Sequence, residues 1–289
     1  MFLVPRIVRT RSVGVRCGAA VIPRCVRLPT AIWLAIAISL CQAAAGSAQE
    51  ASDNLVAFQR VGGYSLVEIQ EDQRPVDLEL VQQSMLSWSN PVFGTTAGGL
   101  FLWVNDGRPA VVMKTYKTKN DRWFEQIRSL STNRIIARES QDGAIFWSPD
   151  QGAEPMKRLP RSPRPAASEV SRLVQMKSLH RKFVAKGDIE GAGGQQELRV
   201  YPRPLYRYKT DAVIDGAVLG FTQGTGPDVL LILEARQSEG EASWYYRLGS
   251  IGIFKVDVFY DGEPVWSEPR RTAANTKPTD LYDGRRLPL

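Results

Sequence analysis

The sequence predicts an α+β fold: a helix followed by an antiparallel sheet, twice, with the helices packed on sheet faces. Three patterns predict it. Residues 212–236 read as strand, turn, strand, because the apolar runs 213–222 and 229–235 flank Gln223-Gly224-Thr225-Gly226-Pro227-Asp228, a loop of strong turn formers. Pairing Thr222 with Val229 leaves apolar residues on both faces, so this hairpin is expected to be central and covered on each side. Two stretches carry helical signals: Leu78, Val81, Met85 and Trp88 behind a capping Asp77, and residues 168–186 between the cap Ser168 and the stop Gly187. Each of these precedes a series of short strand signals separated by turn residues.

In chain order, a short strand is expected at 64–69, then the first helix, stopped by Asn90-Pro91. A hairpin follows, with strands 99–104 and 110–116 joined through Asn105-Asp106-Gly107, and further strands at 123–130, 134–139 and 144–147 complete a meander. Residues 151–167 hold Pro155, Pro160, Pro163 and Pro165 among Lys157, Arg158, Arg161 and Arg164 and read as a semi-rigid linker. The second helix presents an arc of Val170, Leu173, Val174, Met176, Phe183 and Val184. Strands at 197–201, 205–208, the central hairpin, 243–248, 251–260 and a last one ending at Trp266 follow. The segment Asp142-Gly-Ala-Ile-Phe-Trp-Ser-Pro149 echoes Asp261-Gly-Glu-Pro-Val-Trp-Ser-Glu-Pro269, which either marks a duplication or repeats a common hairpin ending. The organisation expected is a leader at 1–48, helix-plus-sheet units at 49–160 and 161–268, and a mobile tail at 269–289, which lacks periodicity.

The leader reading rests on six arginines with no acidic residue, then the apolar run 31–41, then small residues ending at Ala48. That order is a secretory signal, and the run is shorter than the ~20 residues that span a bilayer. The localisation expected is therefore exported, periplasmic or extracellular, with no transmembrane span after cleavage. Without the leader, 31 basic residues stand against 30 acidic ones, so the basic pI belongs to the leader and nucleic-acid binding is not expected. All three cysteines, Cys17, Cys25 and Cys41, also lie there, which removes disulfides and thiolate metal sites from the mature chain.

Few residues carry a chemical signal. His180 is the one histidine, falls within the apolar arc of the second helix and is expected to pack in its interface. One histidine without cysteine builds no structural zinc site, and no calcium loop, nucleophile elbow or phosphate loop is present, so no metal and no cofactor is expected. On the central hairpin the Thr222–Val229 register sets Asp215 opposite Arg236 with Glu234 diagonal to them. That arrangement reads either as a cross-strand ion pair or as a catalytic carboxylate pair, since glycoside hydrolases hold two carboxyls roughly 5 to 9 Å apart. Tyr206, Tyr208 and Tyr245, flanked by Arg203, Arg207, Lys209 and Arg247, are candidates to stack on sugar rings or anchor a partner, with Arg236 beside them.

The segments Gly99-Leu-Phe-Leu-Trp-Val-Asn-Asp-Gly-Arg-Pro109, Leu198-Arg-Val-Tyr-Pro-Arg-Pro-Leu-Tyr-Arg-Tyr208, and Asp215-Gly-Ala through Ile232-Leu-Glu-Ala-Arg236 resemble those of a family of exported proteins of planctomycete-type bacteria. The resemblance covers most of the mature chain and brings no assigned activity, cofactor or catalytic residue. It implies a histidine before Phe124-Glu125, where this chain has Trp123. The function expected is a non-enzymatic binding or interaction module of the cell envelope, its partner a polysaccharide or another exported protein. The alternatives are a hydrolase of envelope polysaccharide using Asp215 and Glu234, or a structural envelope component.

Overall fold

The computed structural model describes residues 52–287 apart from 91, 93, 190–192, 239 and 273–275; the expected leader at 1–48 lies outside the described residues. The N-terminal half opens on α1 (52–61) and continues through β1 (Tyr64–Ile69), β2 (Pro75–Asp77), β3 (Glu79–Leu80), β4 (Leu86–Asn90), β5 (Thr95–Asn105), β6 (Arg108–Thr118), β7 (Trp123–Ser129), β8 (Arg134–Glu139) and β9 (Ile145–Trp147). After β10 (Lys157–Arg158), the C-terminal half opens on α2 (Glu169–Lys182). It continues through β11 (Phe183–Ile189), β12 (Gly194–Glu197), β13 (Arg199–Val200), β14 (Tyr206–Thr210), β15 (Val213–Thr222), β16 (Val229–Ser238), β17 (Glu241–Ser250), β18 (Lys255–Tyr260) and β19 (Glu263–Glu268). β20 (Tyr282–Arg286) closes the order.

The expected α+β class is corrected. The structure is β-rich, 53% strand and 11% helix, with four antiparallel sheets and two short helices. The stripe 78–88 forms strands because its backbone donors go to β5 and not to a preceding turn: Val81 N–H bonds the Leu102 carbonyl at 2.9 Å and Met85 N–H that of Leu100 at 2.7 Å. Its apolar residues also serve two cores, Leu78 one and Val81, Met85 and Trp88 another, which no single helix face can do. In α2, Ser168 caps as expected, but the buried residues are Arg172, Met176, Leu179 and His180, while Val170 and Val174 are exposed.

The two halves are wired alike. In the N-terminal half β2-β1-β8-β9 form one sheet and β7-β6-β5-β3 another, with β4 also on β5; in the C-terminal half β12-β11-β18-β19 and β17-β16-β15-β13 repeat this, with β14 on β15. The last strands exchange. β10, which follows the first half, pairs with β17 of the second, and β20, which follows the second, pairs with β7 of the first. Residues expected to be a linker and a mobile tail are thus edge strands of the opposite half, and Tyr282 and Leu287 are buried. The sequence echo occupies equivalent places: Trp147 of β9 lies beside Ala137 of β8, and Trp266 of β19 beside Val258 of β18.

Because both large sheets are apolar on both faces, each needs two covers. Their inner faces cover one another, Leu100, Leu102 and Val112 packing with Val218, Leu230 and Ile232. The outer face of the first is covered by α1 and the β1-β8 sheet, through Ala57, Val61, Leu66, Ile135 and Trp147. The outer face of the second is covered by α2 and the β11-β18 sheet, through Met176, Leu179, Phe183, Val256 and Tyr260. Burying aromatic residues of this size supplies roughly 3–5 kcal/mol each against truncation.

The central hairpin is shifted by one residue from the expected register. Phe221, and not Thr222, pairs with Val229, which sets Asp215 opposite Ala235 and Gly216 opposite Glu234.

Candidate ligand groove between the large sheets

At one end of the inner face of the first large sheet the second sheet no longer covers it. Alternation on β6 sends Val112, Lys114 and Tyr116 inward, and their partners on β7 are Arg128, Gln126 and Phe124. On β20, Tyr282 and Gly284 pair with Arg128 and Gln126 and share that face. Val112 lies under the second sheet, and the residues beyond it face the 223–228 loop, Ile253, Arg270 and Arg271. Two cavities of about 230 and 350 Å³ result, and Tyr116, Gln126 and Ile253 line both.

The Tyr116 and Phe124 rings are stacked, centroids 5.5 Å apart and planes 13° off parallel. Burial raises the Tyr116 hydroxyl above its ordinary range, so it stays protonated. Gln126 is buried; among the described residues nothing donates to its Oε1, while its side chain reaches the Tyr282 hydroxyl and opposes the rise that burial gives it. Lys114 Nζ donates to the Pro227 carbonyl at 3.0 Å, pairs with Asp228 at 3.5 Å and lies 5.9 Å from the Trp88 ring centre. Trp88 is held between two glycines, Gly98 of its partner strand and Gly226 of the other half's loop, at each of which a Cβ would run into the indole. Arg271 lies over the Tyr282 ring at 4.2 Å, and burial, then Arg128, pulls its guanidinium down to about 9.

The residues singled out from the sequence lie elsewhere. Tyr206, Tyr208, Glu234, Arg236 and Tyr245 do come together, at the opposite end of the space between the large sheets, but they satisfy one another. Glu234 is buried and accepts from Tyr208 Oη at 2.6 Å, from Arg108 Nε at 3.1 Å and from Arg236. Burial pushes its carboxyl up, but Arg108, the Tyr208 hydroxyl and Arg236 outweigh that and hold it below the ordinary value. Burial and Glu234 raise the Tyr208 hydroxyl far above its ordinary range. Tyr206 stacks on Tyr208 at 5.9 Å and donates to the Gly107 carbonyl at 3.1 Å, and Arg236 lies 5.5 Å over the Tyr245 ring.

Asp215 is not part of this cluster. Adjacent rungs of a ladder face opposite ways, so the observed register sends Asp215 to the outer face and Glu234 to the inner one. Asp215 is fully buried against α2, accepting from Arg172 Nε at 2.8 Å and from Arg207 at 2.6 and 3.0 Å. The carboxylate pair expected from the Thr222–Val229 register is therefore corrected: the two acids are separated by the sheet and each is occupied by arginines. His180 is also buried, edge-on to Phe221 at 4.7 Å, and burial, then Arg181, lowers it to about 4.

Among the described residues no group of three histidine, cysteine or acidic side chains converges as a metal site would. No helix among them is long and apolar enough to cross a membrane. No protein family, curated protein or solved structure matches the chain.

Sequence reasoning missed the groove for two reasons. Trp88 reads as helix core and Tyr282 as tail. The usable signal was the alternation Val112-Lys114-Tyr116, apolar then amphipathic on one face, which marks where the cover ends.

Proposed function

We propose that the chain is an exported, non-enzymatic binding module of the cell envelope that holds a polysaccharide segment in the groove over Tyr116, Phe124 and Gln126. Ligand sites are concave, largely apolar and marked by a few polar groups aimed inward. The observation that carries the reading is the stacked Tyr116–Phe124 pair in the wall of the larger cavity, beside the Gln126 amide, which lines both cavities and whose Oε1 accepts no hydrogen bond among the described residues. Sugar rings bring both complements, hydroxyl donors for the amide oxygen and apolar C–H faces for Tyr116 and Phe124. Hydrolysis by Asp215 and Glu234 is not proposed, since neither carboxylate reaches a cavity with a free lone pair or faces the other. Export rests on the leader sequence alone.

The test is calorimetric titration of the purified chain with envelope saccharide fragments, followed by Gln126→Leu and Tyr116→Ala. Saturable binding lost in both variants, with melting unchanged in Gln126→Leu, supports the reading. Binding that survives both changes removes this groove as the site. A chain that binds no fragment and fractionates with the insoluble envelope would instead be a structural component.

A further inference from the structure

The far end of the space between the sheets holds a cation that the internal network leaves over. Arg247 of β17 is 8% exposed and, among the described residues, forms no salt bridge, although the Glu234 carboxylate acts on it from a distance. Its Nη1 donates to the Leu130 carbonyl, its buried Nε donates to nothing, and no hydrogen bond involves its Nη2 among the described residues. The nearby cations are already paired. Arg108 and Arg236 both pair with Glu234, Arg128 pairs with Glu268 at 2.9 Å, and Lys157 with Glu154 at 3.1 Å. Arg271 shares Glu268 with Arg128, and the neighbouring buried Glu68 accepts only from neutral side chains. Six cations thus face four carboxylates, and among the described residues Arg247 is the one of these cations that forms no ion pair.

The guanidinium borders space, with Nε covered and Nη2 the nitrogen left open. Cavities of about 190 and 140 Å³ both include Leu130 and Arg247 in their walls, the larger also bounded by Arg128 and Lys157. A buried donor without an acceptor is costly and calls for a missing partner. The Nε–Nη2 edge of a guanidinium is a fork that matches the two oxygens of a carboxylate or phosphate group. We infer that Arg247 is the anchor of a small-oxyanion site between the two halves, independent of the aromatic groove, which takes a carboxylate or phosphate group on the Nε–Nη2 edge. Burial, then the neighbouring Arg108, draws the guanidinium down to about 10 against the opposing pull of Glu234. Water alone would satisfy the donor and leave the excess charge, whereas an anion answers both.

The purified full chain is melted in sodium phosphate, and separately in sodium acetate, each titrated against sodium chloride at constant ionic strength. In parallel, the side-chain Nε–H resonances of ¹⁵N-arginine-labelled protein are followed. The expected result is a saturable rise in melting temperature of several degrees at about a hundred times the dissociation constant. One buried Nε–H resonance should shift along the same curve. Arg247→Gln should remove both the rise and the resonance. Phosphate active with acetate silent would assign a phosphate source, and the reverse a carboxylate source. No saturable rise and no resonance shift with either anion overturns the inference. So does an equal rise in Arg247→Gln, and if that variant does not fold, the wild-type resonance decides alone.

Discussion

The two ends of the space between the large sheets are built on equivalent scaffold positions and have opposite chemistry. Trp88 beside Gly98 in the first half corresponds to Tyr208 beside Gly216 in the second, and in both pairs a glycine Cβ would run into the ring. By register from Val111 and Val229, Lys114, Tyr116, Gln126 and Phe124 correspond to Ile232, Glu234, Arg247 and Tyr245. One acid at position 234 draws in Arg108, Arg236 and Tyr208 and fills the space directly above it, whereas an aromatic ring at position 116 gathers no such cluster and leaves a groove. One side chain at the end of a sheet thus decides whether the space above it becomes core or cavity.

The sharpest way to break the comparison is Glu234→Gln. Removing one member of a buried charge network leaves its partners uncompensated, so chemical denaturation should show a loss of about 3–5 kcal/mol. Saccharide titration of the distant groove should be unaffected. A loss under about 1 kcal/mol, the range of exposed pairs, would mean that the charged end is wet and as open as the aromatic one.

Acid separates the halves next. His180 packs behind the second half, and the chain has no other histidine. Its folded value of about 4 lies below the ordinary 6.5, so the unfolded chain binds the extra proton between these values. Stability is fully present above pH 6.5 and falls as the pH drops toward 4, by about 3 kcal/mol at about 1.36 kcal/mol per pH unit. Urea midpoints measured across this window should slope in the wild type and flatten in His180→Gln. Below that window Glu234, whose folded value is depressed, adds a second loss as the pH falls through its folded value, and Glu234→Gln should lack it.

Gly98→Ala and Gly216→Ala probe the equivalent aromatic seats. Each should cost about 1–3 kcal/mol by overpacking. Gly98→Ala shifts Trp88 at the groove wall and should also weaken saccharide binding and move the tryptophan emission, while Gly216→Ala should leave both unchanged. The smallest effect on stability is expected from Gln126→Leu. It removes a buried acceptor that has no partner, so melting should be unchanged or slightly raised while the groove loses its polar contact.

Much of the strand pattern is legible in the chain. The Asn105-Asp106-Gly107 turn joins β5 and β6, the 223–228 loop joins β15 and β16, and the Trp147 and Trp266 echo marks equivalent strands in the two halves. The site was far less legible. Tyr206, Tyr208, Arg236 and Tyr245 look like a surface because Glu234 becomes a shared partner only in the folded sheet, and the contacts with Gly107 and Arg108 form only once the halves meet.

By itself the sequence determined where most strands begin and end and that the central hairpin is buried on both faces, because turn residues and side-chain alternation are local properties. The tertiary structure alone decided what covers those faces, that β10 and β20 cross to the opposite halves, and the one-residue register that sends Asp215 and Glu234 to opposite sides of a sheet. The covers and the crossing strands depend on contacts between residues far apart in the chain, and in the hairpin a period of two residues turns a single-step shift into a change of face.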